Sequence, residues 1–246
     1  MEPIYQQSFT IDGSAVDRYG RLKPSTALFY AQEIAGQHCT LLSLDYDTLA
    51  SKRLFWAVIR HRVQITRLPR LGETIRVETW PMPTTRVAYP RSTVAYDAQG
   101  NECFRSISLW VLMNLDTRAM ILPGKSGIEI QGTIRGTELV VPGSLVPKPL
   151  ENSQRRVVCF TDLDRNGHMN NTRYLDWIDD LMPSAFHAGH PLREFTVCYL
   201  SEAREKEQLE LRYELQEGPV LLVDAHRESA DVSDKKERVF SAQLVF

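Results

Sequence analysis

No stretch of about 18 apolar residues occurs anywhere in the 246-residue chain, which excludes a membrane-spanning helix. The amino terminus, Met1-Glu2-Pro3-Ile4-Tyr5-Gln6, lacks a basic start and an apolar core. No signal or transit peptide is read there, and a cytoplasmic location is expected. Cysteine is scarce: Cys39, Cys103, Cys159 and Cys198 lie far apart, with no C-x-x-C pair. That spacing suits neither a zinc site nor a redox pair and fits isolated thiols in a reducing compartment. Charge of one sign is not in excess. Basic and acidic residues, 29 against 31, leave a net charge of −2, so nothing global points to nucleic acid or an anionic membrane. Neither G-x-x-x-x-G-K-[ST] nor G-x-S-x-G occurs, which argues against phosphate-loop and serine-hydrolase chemistry. His187-Ala188-Gly189-His190 offers two imidazoles without a third ligand, so no metal is expected.

What the chain does contain is a repeat. Asp164-Arg165-Asn166-Gly167-His168-Met169 shares the pattern Asp-Arg-x-Gly-x-(Leu/Met) with Asp17-Arg18-Tyr19-Gly20-Arg21-Leu22, at an offset of 147. Only the later copy carries the full trio Asp164, Asn166 and His168. Both copies run into helical patterns. Pro24-Ser25-Thr26 opens the first, where a proline near the first turn costs little. Leu28, Ala31, Ile34 and Ala35 follow at helical spacing. The second is read over 170–182, with Leu175, Ile178 and Met182 as its apolar stripe and Pro183 as its end.

Around these helices lie strand-like runs. In the first half they are 5–12, 54–67, 73–81, 86–96 and 102–113, with a loop and short helix at 45–53. In the second half they are 156–161, 194–201, 207–216, 219–228 and 237–246. Residues 97–101 and 231–236 read as turns. The Gly- and Pro-rich stretch 123–155 reads as linker with a short strand at 138–141. Residues 105–110 also resemble residues 240–245. Agreement in motif, element order and final strand implies a duplicated domain. Strands joined by hairpin-length turns favour an antiparallel sheet, since parallel pairs need long crossovers. The expected fold is α+β, a double hotdog: residues 1–122, a linker at 123–155, then 156–246, each half one helix wrapped by a sheet.

Asp164, Asn166 and His168 alternate, so in an extended segment they share a face. His168 can move protons near neutral pH. Asp164 or Asn166 can orient its imidazole or a water, and the N-terminus of the following helix can hold an oxyanion. Glu202, at the end of the strand near 194, is the candidate carboxylate. Read blandly, Asp162, Asp164 and Asn166 are a turn and a helix cap.

The segment 162–171, with Tyr174, Trp177 and Glu202 beyond it, resembles the acyl-ACP thioesterases of plant plastids and bacteria. Trp56-Ala57-Val58-Ile59-Arg60 and the run from Ile65 to Pro81 resemble that family's N-terminal motif. The resemblance covers nearly the whole chain and looks bacterial. It implies hydrolysis of the thioester between a fatty acyl chain and acyl carrier protein, with Asp164, Asn166, His168 and Glu202 as catalytic residues and no cofactor. The plant enzymes carry a cysteine after the glutamate. Ala203 stands there in this chain, which implies direct attack by water. Whether Glu202 or His168 takes the proton is left open, and an acyl-CoA thioesterase and a non-catalytic acyl-carrier binding protein are the alternatives. The partner expected is acyl carrier protein carrying a fatty acyl-phosphopantetheine, with no nucleic acid and no membrane span, and the chain itself is read as a monomer or homodimer. Arg60, His61, Arg62, Arg67, Arg70 and Arg76 read either as a basic docking patch or as ordinary strand residues. Trp56, Trp80, Tyr89 and Trp110 read as core before pocket, with the first half as the acyl tunnel.

Overall fold

Apolar side chains at every second position drive the strands together, because alternate residues share a sheet face. In the second half Phe195 and Val197, Leu209 and Leu211, Leu221, Val223 and Ala225, and Phe240, Ala242 and Leu244 are all buried in that rhythm. The computed structural model describes residues 3–136, 138–228 and 237–246. It forms two compact units, Met1–Pro142 and Gly143–Phe246. Among the described residues, no helix is long and apolar enough to cross a membrane.

The first unit contains β1 (Tyr5–Thr10), α1 (Pro24–Leu41), α2 (Tyr46–Ser51), β2 (Leu54–Ile65), β3 (Thr74–Pro81), β4 (Tyr89–Tyr96), β5 (Glu102–Asn114), β6 (Met120–Ile121) and α3 (Pro123–Ser126). Its strands are antiparallel in the order β1-β3-β4-β5-β2, with β6 on β5. The second unit contains β7 (Asn152–Val157), α4 (Arg173–Asp179), α5 (Ser184–Gly189), β8 (Glu194–Tyr199), β9 (Gln208–Gln216), β10 (Val220–Arg227) and β11 (Arg238–Val245). Its antiparallel order is β7-β9-β10-β11-β8. Strand for strand, the two orders are the same. Even the register shift recurs, at Ala95/Tyr96 between β4 and β5 and at Ala225/His226 between β10 and β11. The fold is α+β, a double hotdog.

In the first unit α1 lays Ala27, Leu28, Ala31, Ile34 and Ala35 against the sheet, and all are buried. Burying a side chain such as Leu28 or Ile34 contributes about 1.5–3 kcal/mol. In the second unit the corresponding helix is shorter than expected. It spans Arg173–Asp179 instead of 170–182. Asn170 Oδ1 accepts from the Thr172 backbone N–H (3.0 Å) and hydroxyl (2.9 Å), which holds residues 170–172 as a turn. At the other end Asp179 and Asp180 sit against the negative end of the helix dipole, and Pro183 cannot continue the ladder. Its buried face is Tyr174, Leu175, Trp177 and Ile178, with the Tyr174 ring 4.6 Å from Phe240.

Two other expectations change. The strand read at 156–161 lies earlier, at 152–157, followed by a 3-10 turn at Phe160–Asp162. That strand pairs on one side with β9 and is mostly exposed, so it lacks the apolar rhythm a sequence reading needs. No strand forms at 138–141. There the Glu138 carboxylate accepts from Ser92 Oγ (2.6 Å), Trp80 Nε1 (3.1 Å) and the Arg135 N–H (2.9 Å), tying residues read as linker onto the first unit. The turn at 97–101 forms, with Asp97 Oδ1 accepting from the N–H groups of Gln99 and Asn101. The turn read at 231–236 lies outside the described residues.

Candidate active site

The segment around His168 is a tight loop built by one carboxylate. Asp164 Oδ1 accepts from the backbone N–H of Asn166 (2.8 Å) and of His168 (3.3 Å). Its Oδ2 accepts from the Asn166 side-chain amide at 3.3 Å. The Asp164 N–H donates to the His168 carbonyl (2.8 Å), and Leu163 bridges Met169. A short aspartate that bonds the backbone two and four residues on is a favoured turn former. Closing the loop puts Gly167 at φ 75°, in the left-handed region that glycine adopts at little cost.

The first unit makes the same loop. Asp17 Oδ1 accepts from the N–H of Tyr19 (2.8 Å) and Arg21 (3.0 Å), Val16 bridges Leu22, and Gly20 has φ 71°. The partner segment matches too. Leu22 N–H donates to Pro69 O and Arg21 bridges Arg70, as Met169 N–H donates to Ala203 O and His168 bridges Arg204. Tyr19, Arg21 and Leu68 therefore stand where the second unit has Asn166, His168 and Glu202. The aspartate and glycine recur in both copies, whereas the other three positions differ. Asp164 is thereby a builder of the loop, and Asn166, His168 and Glu202 are the groups particular to the second unit.

Residues 34 apart in sequence meet here: His168 Nε2 lies 3.2 Å from Glu202 Oε2. The His168 side chain is 12% exposed and that of Glu202 39%, so the imidazole is sheltered and the carboxylate reaches solvent. The structure thus pairs the imidazole with Glu202, while the carboxylate of Asp164 meets the His168 backbone and not its ring. Asn166 is exposed beside them. Around the helix start four N–H groups are already engaged. The N–H groups of Met169, Asn170, Thr172 and Arg173 already donate to Ala203 O, Asp162 O, Asn170 Oδ1 and Asn170 O.

Beneath the pair, burial raises the phenol pKa of both Tyr174 and Tyr199, so both stay neutral. Tyr199 donates to the Asn171 carbonyl at 3.0 Å. Ala203 is fully buried and offers no nucleophile. Elsewhere burial pushes the Cys103 thiol up to about 11 and also raises Cys39.

Sequence reading missed Arg227. From the end of β10 its Nη2 donates to the Glu202 backbone carbonyl at 2.5 Å, its Nε to Glu207 Oε2 at 3.0 Å, and its Nη1 to Glu237. No local motif signals this, because the acceptors lie 25, 20 and 10 residues away from Arg227 in sequence.

The other candidates fall into structural places. His61 is buried, and burial pushes its pKa down to about 3. Arg67 pairs with Glu73 (2.8 Å) and Asp97 (3.1 Å), Arg76 with Glu78 (3.0 Å), and Arg60 donates to the Pro142 carbonyl. These side chains have partners of their own, Arg60 and Arg76 from strands and Arg67 from the loop after β2. Trp56, Trp80 and Trp110 each donate an indole N–H within the unit, to Leu44 O, Glu138 and Ser108 Oγ. The Tyr89 hydroxyl bonds Ser126 Oγ at 2.8 Å. His187 Nε2 and His190 Nδ1 bond the carbonyls of Asp179 and Phe186.

Two family models match the chain: the acyl-ACP thioesterase N-terminal domain over residues 2–122 and the acyl-ACP thioesterase C-terminal domain over residues 148–241. Among curated relatives, a chloroplastic palmitoyl-acyl carrier protein thioesterase of Gossypium hirsutum is 27% identical over 217 residues, covering 81% of this chain and 52% of its own. The chloroplastic oleoyl-acyl carrier protein thioesterase 1 of Arabidopsis thaliana is 23% identical, covering 82% and 61%. The chain spans about half the length of such relatives. Two solved structures share the fold: an acyl-ACP thioesterase from Bacteroides thetaiotaomicron and a 12:0-ACP thioesterase from Umbellularia californica. Their TM-scores are 0.81 and 0.83 at 22% and 21% identity, and they cover 99% and 100% of this chain and 97% of each of theirs. With both domain models matched in order across nearly its whole length, the chain belongs to the acyl-ACP thioesterase family.

Proposed function

We propose that this protein hydrolyses the thioester joining a fatty acyl chain to the phosphopantetheine arm of acyl carrier protein, yielding the free fatty acid and holo-carrier. The observation that carries this reading is the His168–Glu202 pair, 3.2 Å apart and contributed by a loop and a partner segment whose counterparts in the first unit lack both residues. The attacking water gives its proton to this pair, which acts as a unit. The oxygen adds to the thioester carbonyl carbon, the C–S bond breaks, and the proton passes to the departing thiolate. Asn166 positions the carbonyl or the water, and Asp164 holds the loop that presents Asn166 and His168. The C-terminal domain, residues 156–246 within the second unit, carries the chemistry, and the N-terminal domain, residues 1–122 within the first, receives the acyl chain.

The test is thiol release from a ladder of acyl-ACPs, with matching acyl-CoAs alongside, for the wild type, Glu202→Gln and His168→Asn. Fast release from acyl-ACP by the wild type alone is the expected result. Faster release from acyl-CoA would make the protein an acyl-CoA thioesterase. Near-normal turnover by Glu202→Gln would remove Glu202 from the chemistry.

A further inference from the structure

Glu202 sits on an irregular segment, residues 200–207, with little regular pairing of its own. Upstream, the N–H groups of Leu200 and Ser201 both donate to Val239 O (2.9 and 3.1 Å). Downstream, Ala203 O receives the Met169 N–H at 2.8 Å. Between these anchors the peptide carbonyl of Glu202 itself points to Arg227 Nη2. The same guanidinium holds Glu207, whose Oε2 also accepts the Arg204 N–H at 3.1 Å. Its third contact is Glu237. A guanidinium presents its N–H groups as a rigid fork and serves three acceptors from fixed directions, which an ammonium on one nitrogen does not.

The first unit supplies an internal control. There Arg67 pairs with Glu73 and Asp97, closing the matching segment by side-chain ion pairs to two carboxylates. Glu73 corresponds to Glu207, since Glu73 N–H donates to Arg70 O as Glu207 N–H donates to Arg204 O. The position matching Glu202 is Leu68, which has no proton to move. In the second unit the arginine comes instead from the end of β10 and takes hold of the glutamate's own peptide.

We propose that Arg227 is a positioning residue for Glu202, setting the peptide that aims the carboxylate at His168. This rests on the thioesterase reading above. Its loss frees the Glu202 peptide and leaves Glu207 and Glu237 without their shared cation.

The experiment compares the wild type, Arg227→Met, Arg227→Lys, Glu202→Gln and the Arg227→Met/Glu202→Gln double variant on one acyl-ACP substrate. Displacing a catalytic group by about 1 Å costs on the order of 100-fold, so Arg227→Met should lower kcat between about tenfold and 100-fold with KM within about twofold. Arg227→Lys should fall between it and the wild type, and it serves if Arg227→Met does not fold. In the Glu202→Gln background Arg227→Met should cost less than about twofold, because the group it positions is already gone. An equal loss in both backgrounds, or an unchanged kcat in Arg227→Met, overturns the proposal. Near-normal turnover by Glu202→Gln would instead overturn the role of Glu202. Crystal structures then decide the positioning independently of rate. A His168–Glu202 separation lost in Arg227→Met supports it, and one retained at 3.2 Å overturns it.

Discussion

Replacing Asp164 separates the loop's architecture from its chemistry. Asp164→Ala removes the acceptor for two backbone N–H groups and the Asn166 amide. Hydrogen bonds to a charged group contribute about 1.5–3 kcal/mol each when buried. This loop is half exposed, so the total falls to the capping range, about 1–2 kcal/mol. At roughly 2–4 °C per kcal/mol for a protein of this size, the melting temperature should drop by about 2–8 °C. The rate should fall by about 100-fold, because Asn166 and His168 lose their common frame. Asp164→Asn keeps an oxygen that accepts both backbone N–H groups, and its new amide can donate to Asn166 in place of accepting. It should cost about 0.5 kcal/mol in stability and about threefold in rate. Asp17→Ala is the control: the same loop is lost in the first unit, with a similar stability loss and no matching fall in turnover. Thermal unfolding and acyl-ACP hydrolysis are measured on all three. If Asp164→Asn unfolds like the wild type and yet loses as much rate as Asp164→Ala, the carboxylate charge takes part in the reaction and the loop argument is refuted.

Two further tests follow from the same geometry. Gly167 and Gly20 both have positive φ and open space where a Cβ would go, so alanine there meets backbone strain alone, about 1–2 kcal/mol. Denaturant unfolding should register that loss for both Gly167→Ala and Gly20→Ala, with hydrolysis falling only for Gly167→Ala; loss of turnover in both would show that the first loop also serves the reaction. His61 titrates about 3 when folded against 6.5 as the ordinary value, so between those limits the unfolded chain binds the extra proton and stability rises with pH. The His61 contribution is full above 6.5 and is lost as pH falls toward 3, with a slope of at most about 1.4 kcal/mol per pH unit. His61→Leu should remove one proton's worth of that slope in urea titrations at several pH values, and an unchanged slope would place the titration elsewhere.

Much of this molecule is legible in the chain because its signals are local. The strands from β2 to β5 and from β8 to β11 announce themselves by alternation and by Gly, Asp and Asn at their ends. The duplication shows in the repeated Asp-Arg-x-Gly pattern. The failures are equally physical. β7 is an exposed strand without an apolar face, α4 is cut short by an asparagine turn and two C-terminal aspartates, and the stretch at 123–142 is held by Glu138 through side chains distant in sequence.

The sequence by itself determined the duplicated α+β plan and singled out Asp164, Asn166, His168 and Glu202, since residue type and spacing are written along the chain. Tertiary structure decided where these four stand and what each one meets. A carboxylate that closes a turn and one that faces an imidazole look alike in sequence. They part only when folding turns Asp164 onto backbone N–H groups and brings Glu202 across 34 residues to the imidazole of His168, on a peptide gripped by an arginine from another strand.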